Sequence, residues 1–506
     1  MLLNELLQVI DPVAAEGVPA VRIDGLTCDS RKVTPGTLFF AIPGAVADGH
    51  DYIEKALESG AAAVVLEDPS RAPAAVISVK VPDSRVAMAR ISSRFYGDPT
   101  ADLPLVGITG TNGKTTTTYL VEAIMAAAGL PPAVLGTISY RFGDFSVEAS
   151  HTTPESTELQ SAFRKLADAG ARGFDMEVSS HSLEQHRVDG CYFDVAVFTN
   201  LTRDHLDYHK TMEAYFGAKQ RLFSQLLRSD SLKPSRTAVV NIDDEFGPRM
   251  AEAASCPVIT FGRCAGADVR PSGIISSLDG ISGEIETPKG SFGFSSRLVG
   301  SYNLSNILGA VAAGVALGIP LEKIKSGIEG HRAVPGRLER VDNSRGITCL
   351  VDYAHTGDAL ENVLSTLKEI ATGRIITVFG CGGDRDRGKR PVMGGIAAGY
   401  SDLAIGTSDN PRTENPASIL SEIKAGISGI SEYRPDELQS GFTDKGFVVI
   451  ENRREAIRLG GLVARAGDIL LLAGKGHEDY QIIGTTKHHF DDREEAALAL
   501  EGGPVV

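Results

Sequence analysis

The sequence lacks several features that would place it outside the ordinary soluble enzymes. Apolar stretches such as Ile469 to Ala473 are strand-sized, and none reaches the length of about 20 apolar residues that a bilayer-spanning helix needs. The N-terminus, Met1-Leu2-Leu3-Asn4-Glu5, lacks the basic-then-apolar order of a secretory signal. Six cysteines (Cys28, Cys191, Cys256, Cys264, Cys349, Cys381) are scattered without C-x-x-C spacing. That argues against a disulfide framework or a zinc site and fits a reducing cytoplasm. No basic arm or Lys/Arg run is present and the net charge is −15, which argues against nucleic acid or an anionic membrane as partner. Internal repeats and low-complexity segments are also missing.

The 506 residues, 42% hydrophobic and 23% charged, exceed what one core accommodates and suggest roughly three domains. The first, residues 1–99, mixes strand-like runs with turns: Thr37 to Ile42 stops at Pro43-Gly44, and Ala61 to Leu66 stops before Asp68-Pro69. Asp98-Pro99-Thr100 reads as a linker. The second, 100–333, opens with the apolar run Leu103 to Ile108, a Gly-rich turn and a helix pattern from Thr115 to Ala128. Buried-strand patterns at Phe174 to Val178, Phe193 to Thr199 and Thr237 to Ile242 alternate with helices, as in a parallel α/β sheet. Asp268 to Leu298 alternates in short Gly/Ser-punctuated runs that suggest antiparallel strands, before an Ala-rich helix from Asn303 to Leu317. The third, 334–506, has strands at Thr348 to Asp352, Ile375 to Phe379, Leu403 to Gly406, Phe447 to Ile450 and Ile469 to Ala473. The fold class is therefore α/β: a small N-terminal domain, a central P-loop-type parallel-sheet domain and a C-terminal Rossmann-like domain.

The net negative charge sharpens one question, because anionic substrates would need local cationic or Gly-rich grips. Gly110-Thr111-Asn112-Gly113-Lys114-Thr115-Thr116 lies between an apolar strand and a helix start. Glycines let backbone amides wrap a polyphosphate, and the helix N-terminus adds its dipole. Lys114 suits the β- and γ-phosphates of ATP, and the Thr115 hydroxyl suits Mg²⁺. The strict spacing asks for glycine where Ile108 stands, so the general motif fits in part. Glu177 ends a strand, where open α/β sheets present ligands, and a carboxylate there is a hard-cation donor. Thr199 to His209 is dense in polar, ligand-capable groups just after another strand. Read alone, Lys219 on the helix pattern Glu213 to Leu227 is a solvated lysine.

The variant G-T-N-G-K-T is the form used by Mur ligases and folylpolyglutamate synthetases, and the chain resembles the Mur ligases from end to end. The resemblance implies an ATP-dependent amide ligase of cell-wall precursor synthesis that works through an acyl phosphate. It implies that Glu177 and His205 support Mg²⁺ (two ions) and that Lys219 carries a CO₂-derived carbamate that ligates metal. It places Asn303 and Asn306 at the adenine side of ATP, although Asn303 alone reads as a helix N-cap. Arg337, in Gly336-Arg337-Leu338-Glu339, and Asp352, in Asp352-Tyr353-Ala354-His355-Thr356, match third-domain nucleotide motifs. Gly357 stands where many relatives carry proline. Ser30, in Cys28-Asp29-Ser30-Arg31, matches the uridine-side motif, although Cys28 replaces a common leucine; Asp48-Gly49-His50 assists. Thr152, Thr153, Ser179, Gln185 and Arg187 match positions that hold the muramoyl-peptide of UDP-MurNAc-L-Ala-D-Glu.

The amino acid to be added is read from the third domain. Asp409-Asn410-Pro411-Arg412 matches the motif of family members that use meso-diaminopimelate, since its extra carboxylate calls for a guanidinium. Arg385 matches the residue at the α-carboxylate end, and Gly474 and Glu478 match the grip on the distal end, Glu478 taking the ammonium. Rival readings are a lysine-adding member, disfavoured by Arg412; a folylpolyglutamate synthetase, disfavoured by the N-terminal domain; and a non-catalytic relative, disfavoured by the joint presence of Lys114, Glu177, His205 and Lys219. A cytoplasmic monomer is the expectation.

Overall fold

The computed structural model describes residues 1–10, 18–44, 47–149, 151–227, 232–331 and 333–501. Internal contacts divide the chain into two compact units. One comprises Met1–Ser272, Ile285–Phe292 and Ser305–Gly330; the other comprises Gly273–Glu284, Gly293–Leu304 and His331–Val506. Among the described residues no helix is long and apolar enough to cross a membrane.

The first unit contains two sheets. Strands β1 (Gly25–Thr27), β2 (Thr37–Phe40), β3 (Ala61–Leu66) and β4 (Ser78–Lys80) pair in that order, all parallel. The central strands read as continuous apolar runs because both faces are covered. Leu38, Phe40, Ala63 and Val65 enter one core, while Phe39, Val64 and Leu66 enter the other.

The second sheet uses β5 (Leu105–Thr109), β6 (Pro132–Leu135), β7 (Ser139–Phe142), β8 (Phe145–Glu148), β9 (Gly173–Glu177), β10 (Val195–Phe198), β11 (Thr237–Asn241) and β12 (Val258–Phe261). Their order is β12-β11-β10-β5-β9-β6-β7-β8. The run from β12 to β6 is parallel, and the hairpin β7–β8 finishes the edge antiparallel. After β5 the chain fills positions on one side and then crosses to β10 on the other. The carboxyl end of β5 is thus a topological switch point, where open α/β sheets leave a crevice. The runs named in the sequence become β2, β3, β5, β9, β10 and β11, while β1, β4, β6, β12 and the β7–β8 hairpin are not among them, and Asp98-Pro99 departs from its reading as a linker. There Pro99–Asp102 forms a short helix, because proline suits the first helical position and Asp98, at φ 48°, supplies the reversal before it.

Three short strands, β13 (Arg270–Ser277), β14 (Gly280–Thr287) and β15 (Gly290–Ser296), form a sheet in chain order. Two-residue connections of this kind close only antiparallel pairs. The helix that follows starts at Ser301, so Asn303 sits inside its first turn rather than at the cap, and its Nδ2 donates to Val299 O at 2.8 Å.

The large sheet of the second unit comprises β16 (Glu339–Val341), β17 (Thr348–Asp352), β18 (Ile375–Cys381), β19 (Leu403–Ser408), β20 (Ser431–Glu432), β21 (Gly446–Ile450) and β22 (Ile469–Ala473). The order is β16-β17-β22-β18-β19-β21-β20, parallel throughout except for β16 at one edge. The carboxyl ends of β17, β22, β18 and β19 lie side by side. They deliver Asp352, Gly474, Gly382 and Asp409 to one rim. A last hairpin, β23 (Tyr480–Ile483) and β24 (Thr486–His489), stands beside it.

That rim rests on an ion pair with no access to water. Arg453, at the start of the helix Arg453–Val463, meets Asp492 of the helix Asp492–Glu501 at 2.5 Å, with both side chains fully buried. Arg453 also donates to Ala473 O at 3.1 Å, tying the pair to the last residue of β22. Removing one partner strands the other charge in a medium that cannot solvate it. Asp492→Ala is therefore expected to destabilise this unit by about 3–5 kcal/mol, read by chemical denaturation; a loss within error of zero would show that the pair contributes nothing.

Candidate active site

At the carboxyl end of β5 the backbone turns through Gly110 (φ 153°) and Gly113 (φ 84°) into the helix Lys114–Ala127. Both glycines are required by space as well as by angle. A Cβ on Gly110 would collide with Thr199 Oγ1, and one on Gly113 with Asn306 Oδ1. The loop is laced to the turn after β10: Thr111 N donates to Asn200 O at 2.9 Å, Asn112 N to Asn200 Oδ1 at 2.9 Å, and Thr199 Oγ1 to Asn112 O at 2.6 Å. Asn241, at the end of β11, braces that turn by donating to Thr199 O at 2.7 Å.

Two lysines converge on one carbonyl. Lys114 Nζ donates to Gly110 O at 2.9 Å and to Thr111 O at 2.8 Å. Lys219 Nζ, 1% exposed on the helix Met212–Arg221, donates to the same Gly110 O at 2.9 Å and lies 4.7 Å from the Tyr215 ring centroid. Burial, and next the Lys114 cation, push the Lys219 amine well below the ordinary lysine range, with Asp204 opposing. A neutral amine is the form that can attack CO₂.

Glu177, buried at the end of β9, is held by three donors. Thr115 Oγ1 reaches its Oε1 at 3.0 Å, Thr137 N the same oxygen at 2.9 Å, and Thr137 Oγ1 its Oε2 at 3.0 Å. A carboxylate, two hydroxyls and the buried Lys219 amine beside a phosphate-type loop make an oxygen-rich environment of the kind Mg²⁺ prefers once that amine carries a carbamate.

His205 follows at φ 54°, its ring 5.0 Å from His181 and 5.9 Å from Tyr215 between centroids. Burial lowers the His205 pKa, with Asp204 opposing and Lys114 adding to the effect. Burial and then the neighbouring His205 and His209 bring His181 down to about 4. These imidazoles are therefore neutral at physiological pH, as ligands must be.

Beside Glu177 lie the five residues matched to the muramoyl-peptide. Thr153 Oγ1 donates to Glu177 O at 2.8 Å and accepts from Ser179 N at 3.2 Å. Arg187 donates to Thr153 O at 2.8 Å and to Gln185 Oε1 at 2.7 Å, and it pairs with Glu155 at 2.9 Å. Thr152 meets the Thr137 hydroxyl at 3.1 Å. Ser30 lies apart from this cluster, buried in the short helical turn Ser30–Lys32, whose Lys32 pairs with Glu158 at 2.7 Å.

The rim of the second unit gathers the remaining candidates. Asp352 accepts from Leu338 N at 2.7 Å and Ala354 N at 2.8 Å; burial raises its pKa against the pull of Arg337. Arg337 lies over the Tyr353 ring at 5.1 Å. Asn410 links three partners: its Nδ2 donates to Glu478 Oε2 at 2.9 Å, while its Oδ1 accepts from Ile482 N at 2.9 Å and Lys475 Nζ at 3.2 Å. Lys475, fully buried, also faces Asp409 at 3.3 Å and Glu478 at 3.7 Å. Burial, then Asp409, raises the Glu478 carboxyl against Lys475. Arg412, half-buried at φ 51°, donates to Gly383 O at 2.8 Å, and exposed Arg385 donates to Asp384 O at 3.0 Å.

Sequence reasoning missed Thr137, Asn200, Tyr215 and Lys475. Thr137 and Tyr215 stand outside any motif. Asn200 lies within the polar stretch Thr199 to His209 and Lys475 next to Gly474, but only the folded loop shows which atoms their side chains reach.

Comparison with known proteins adds the following. Residues 22–96 match the family model "Mur ligase family, catalytic domain", 108–314 "Mur ligase middle domain", and 336–476 "Mur ligase, glutamate ligase domain". A protein of Geobacter metallireducens named UDP-N-acetylmuramoyl-L-alanyl-D-glutamate--2,6-diaminopimelate ligase is 64% identical over 99% of this chain and 98% of its own length. One of the same name from Listeria monocytogenes is 45% identical over 99% of both. A solved structure of a protein with that name superposes at TM-score 0.69, 36% identity and 94% coverage of each chain. MurF from Acinetobacter baumannii, at TM-score 0.61 and 20% identity over 93% of this chain and 94% of its own, shares the fold.

The Lys219 geometry makes a stability prediction. In CO₂-depleted buffer, wild type carries the cost of the buried amine at every pH below 10.5, the ordinary value, because the unfolded chain holds a proton that the folded site resists. That cost fades as pH rises from the depressed folded-state value towards 10.5. Lys219→Met is expected to melt higher than wild type at neutral pH, with the gap narrowing as pH rises. A gap independent of pH in thermal scans would refute the depressed amine.

Proposed function

The chain belongs to the Mur ligase family, and from that premise we propose that it is an ATP-dependent amide ligase. It joins meso-diaminopimelate to the D-glutamate γ-carboxylate of UDP-MurNAc-L-Ala-D-Glu in peptidoglycan precursor synthesis. The substrates are those printed in the names of relatives that match end to end. The observation that carries the choice of amino acid is the pairing of opposite charges on one rim. Arg412 and Glu478 flank Asn410, which is hydrogen-bonded to Glu478 and to the backbone of the β23–β24 hairpin. The far end of diaminopimelate carries a carboxylate and an ammonium, and a guanidinium with a carboxylate matches both.

The reaction has two steps. The substrate γ-carboxylate attacks the γ-phosphorus of ATP, giving an acyl phosphate and ADP; a neutral amine of diaminopimelate then attacks the acyl carbon and inorganic phosphate leaves. Gly110 to Thr116 hold the phosphates through the amides that open the helix Lys114–Ala127 and through its dipole, those of Thr111 and Asn112 being bound to Asn200, and Lys114 turns from its own loop carbonyls to the β- and γ-oxygens. Thr115, Glu177, His205 and Lys219 as a carbamate would hold Mg²⁺, which supplies neutralisation of phosphate charge. Thr137 keeps Glu177 oriented. Asn303 and Asn306 are assigned to the adenine side, and Arg337 and Asp352 to the nucleotide. Thr152, Thr153, Ser179, Gln185 and Arg187 orient the muramoyl-peptide, and Ser30 the uridine end. Arg385, Asp409, Asn410, Pro411, Arg412, Gly474 and Glu478 receive the amino acid. The three-domain division at 99/100 and 333/334, a cytoplasmic location and monomeric action belong to the same reading.

Phosphate release with ATP and UDP-MurNAc-L-Ala-D-Glu, compared between meso-diaminopimelate and L-lysine, tests it. Release with diaminopimelate alone is expected, and Arg412→Ala should cut kcat/KM for it roughly 10²-fold or more by unpairing a carboxylate. Equal turnover of lysine would refute the choice of amino acid and leave the ligase. Tight ATP binding with no release from either would refute the ligase.

A further inference from the structure

Two loops carry Arg385 and Arg412, and neither holds its shape by local preference. Asp384 (φ 54°) and Arg412 (φ 51°) are both left-handed without being glycine, a conformation in which Cβ crowds the carbonyl. Each loop is held by the other. Gly383 N donates to Asn410 O at 2.9 Å, and Arg412 Nη1 returns a bond to Gly383 O at 2.8 Å. The Asp384 carboxylate accepts from Thr413 N at 3.1 Å and Thr413 Oγ1 at 2.9 Å. Glu414 Oε1 accepts from Asp384 N at 2.6 Å.

Beneath them lies a charge with no path to solvent. The Arg390 side chain is fully buried and donates to both oxygens of Glu414, at 2.8 and 3.1 Å, to Glu422 at 2.8 Å and to Gly382 O at 3.3 Å. Glu414 thereby bridges the buried guanidinium and the strained amide of the facing loop. Arg390, then Arg387 and the Asp384 amide, hold its carboxyl down to about 2. A buried guanidinium fixed in a bidentate fork is a rigid base for such a bridge.

We propose that Glu414, seated on Arg390 and joined by the Asp384–Thr413 contact, is a positioning element for amino-acid specificity: it locks the two loops together so that Arg385 and Arg412 present their guanidinia at a fixed separation. The proposal rests on the reading of this rim as the diaminopimelate site. Glu414 itself acts only through the two arginines. Diaminopimelate carries a carboxylate at each end and so depends on both guanidinia being in place; lysine, with one carboxylate, depends on their separation less.

The test compares wild type, Glu414→Gln, Thr413→Val and Thr413→Ser, with separate KM values for each substrate. Glu414→Gln is expected to raise KM for diaminopimelate roughly tenfold or more and to narrow its preference over lysine by a similar factor, as a misplacement of about an ångström does. KM for ATP and for UDP-MurNAc-L-Ala-D-Glu should stay within about twofold. Thr413→Val, which leaves the Arg390 base untouched, should shift in the same direction, and Thr413→Ser, which keeps the hydroxyl, should restore wild-type selectivity. A merely structural role would instead raise all three KM values together, or lower the melting temperature with the diaminopimelate-to-lysine ratio unchanged; either result overturns the proposal. If Glu414→Gln does not fold, the Thr413 pair decides alone, and equal ratios in Val and Ser overturn it. A wild type selective for diaminopimelate whose variants keep that selectivity removes the clasp only, whereas a wild type that uses lysine as well as diaminopimelate removes the reading beneath it.

Discussion

Much of the first unit's chemistry depends on a single backbone oxygen. The Gly110 carbonyl receives both Lys114 and Lys219, so two cationic side chains from separate helices are drawn to one point at the switch of the sheet. Holding two ammonium groups there in a dry environment is unfavourable, and the molecule's response is to drive the more deeply buried amine neutral. Lys114 lies adjacent to backbone amides and a helix N-terminus. In the proposed function the same constraint would make one lysine an anion grip and the other a nucleophile towards CO₂. It also explains how a chain of net charge −15 can receive polyphosphate: the attraction is local and short-ranged, within a negative overall field.

Parallel sheets dictate where the rest can stand. With both faces packed, only the carboxyl ends of the strands are open to ligands, and each sheet gathers its functional residues there. Glu177 ends β9, Thr199 follows β10 and Gly110 follows β5; Asp352 ends β17, Gly474 follows β22 and Asp409 follows β19. The solution to burying polar groups at these ends is reciprocity. Asn200 satisfies the phosphate loop and Asn410 the amino-acid loops, each through both backbone and side-chain contacts.

The sequence made the strand-and-helix alternation legible because apolar runs of strand length recur between helical patterns, and the phosphate loop because its spacing is short and local. What it hid are contacts between segments distant along the chain. Thr137 supplies two of the three bonds on Glu177 from a turn after β6 that carries no motif. Lys219 looks like any helix-surface lysine until the fold buries it. Asp98-Pro99 read as a break because proline restricts its predecessor, yet the same proline starts a helix once that predecessor turns left-handed. Asn303 missed its expected cap by one turn's fraction because the helix begins at Ser301, ahead of the asparagine that resembles a cap.

Backbone strain marks the same places that chemistry does. Seven non-glycine residues among those described have positive φ: Asp98, His186, His205, Lys210, Leu338, Asp384 and Arg412. All but Asp98 lie in loops that carry or adjoin site residues, with His186 between Gln185 and Arg187. Each left-handed residue costs about 1–2 kcal/mol, so a loop can keep one only where other bonds over-determine it. In the six site loops the strained residue's own amide is tied down: His186 to Leu183 O, His205 to Asp204, Lys210 to Leu206 O, Leu338 to Asp352, Asp384 to Glu414 and Arg412 to Ile482 O. Several of these anchors are ionisable or are themselves candidate site residues, so the group that fixes the backbone and the candidate beside it share one network. Strain of this kind serves to aim a side chain where an unstrained loop would point it elsewhere.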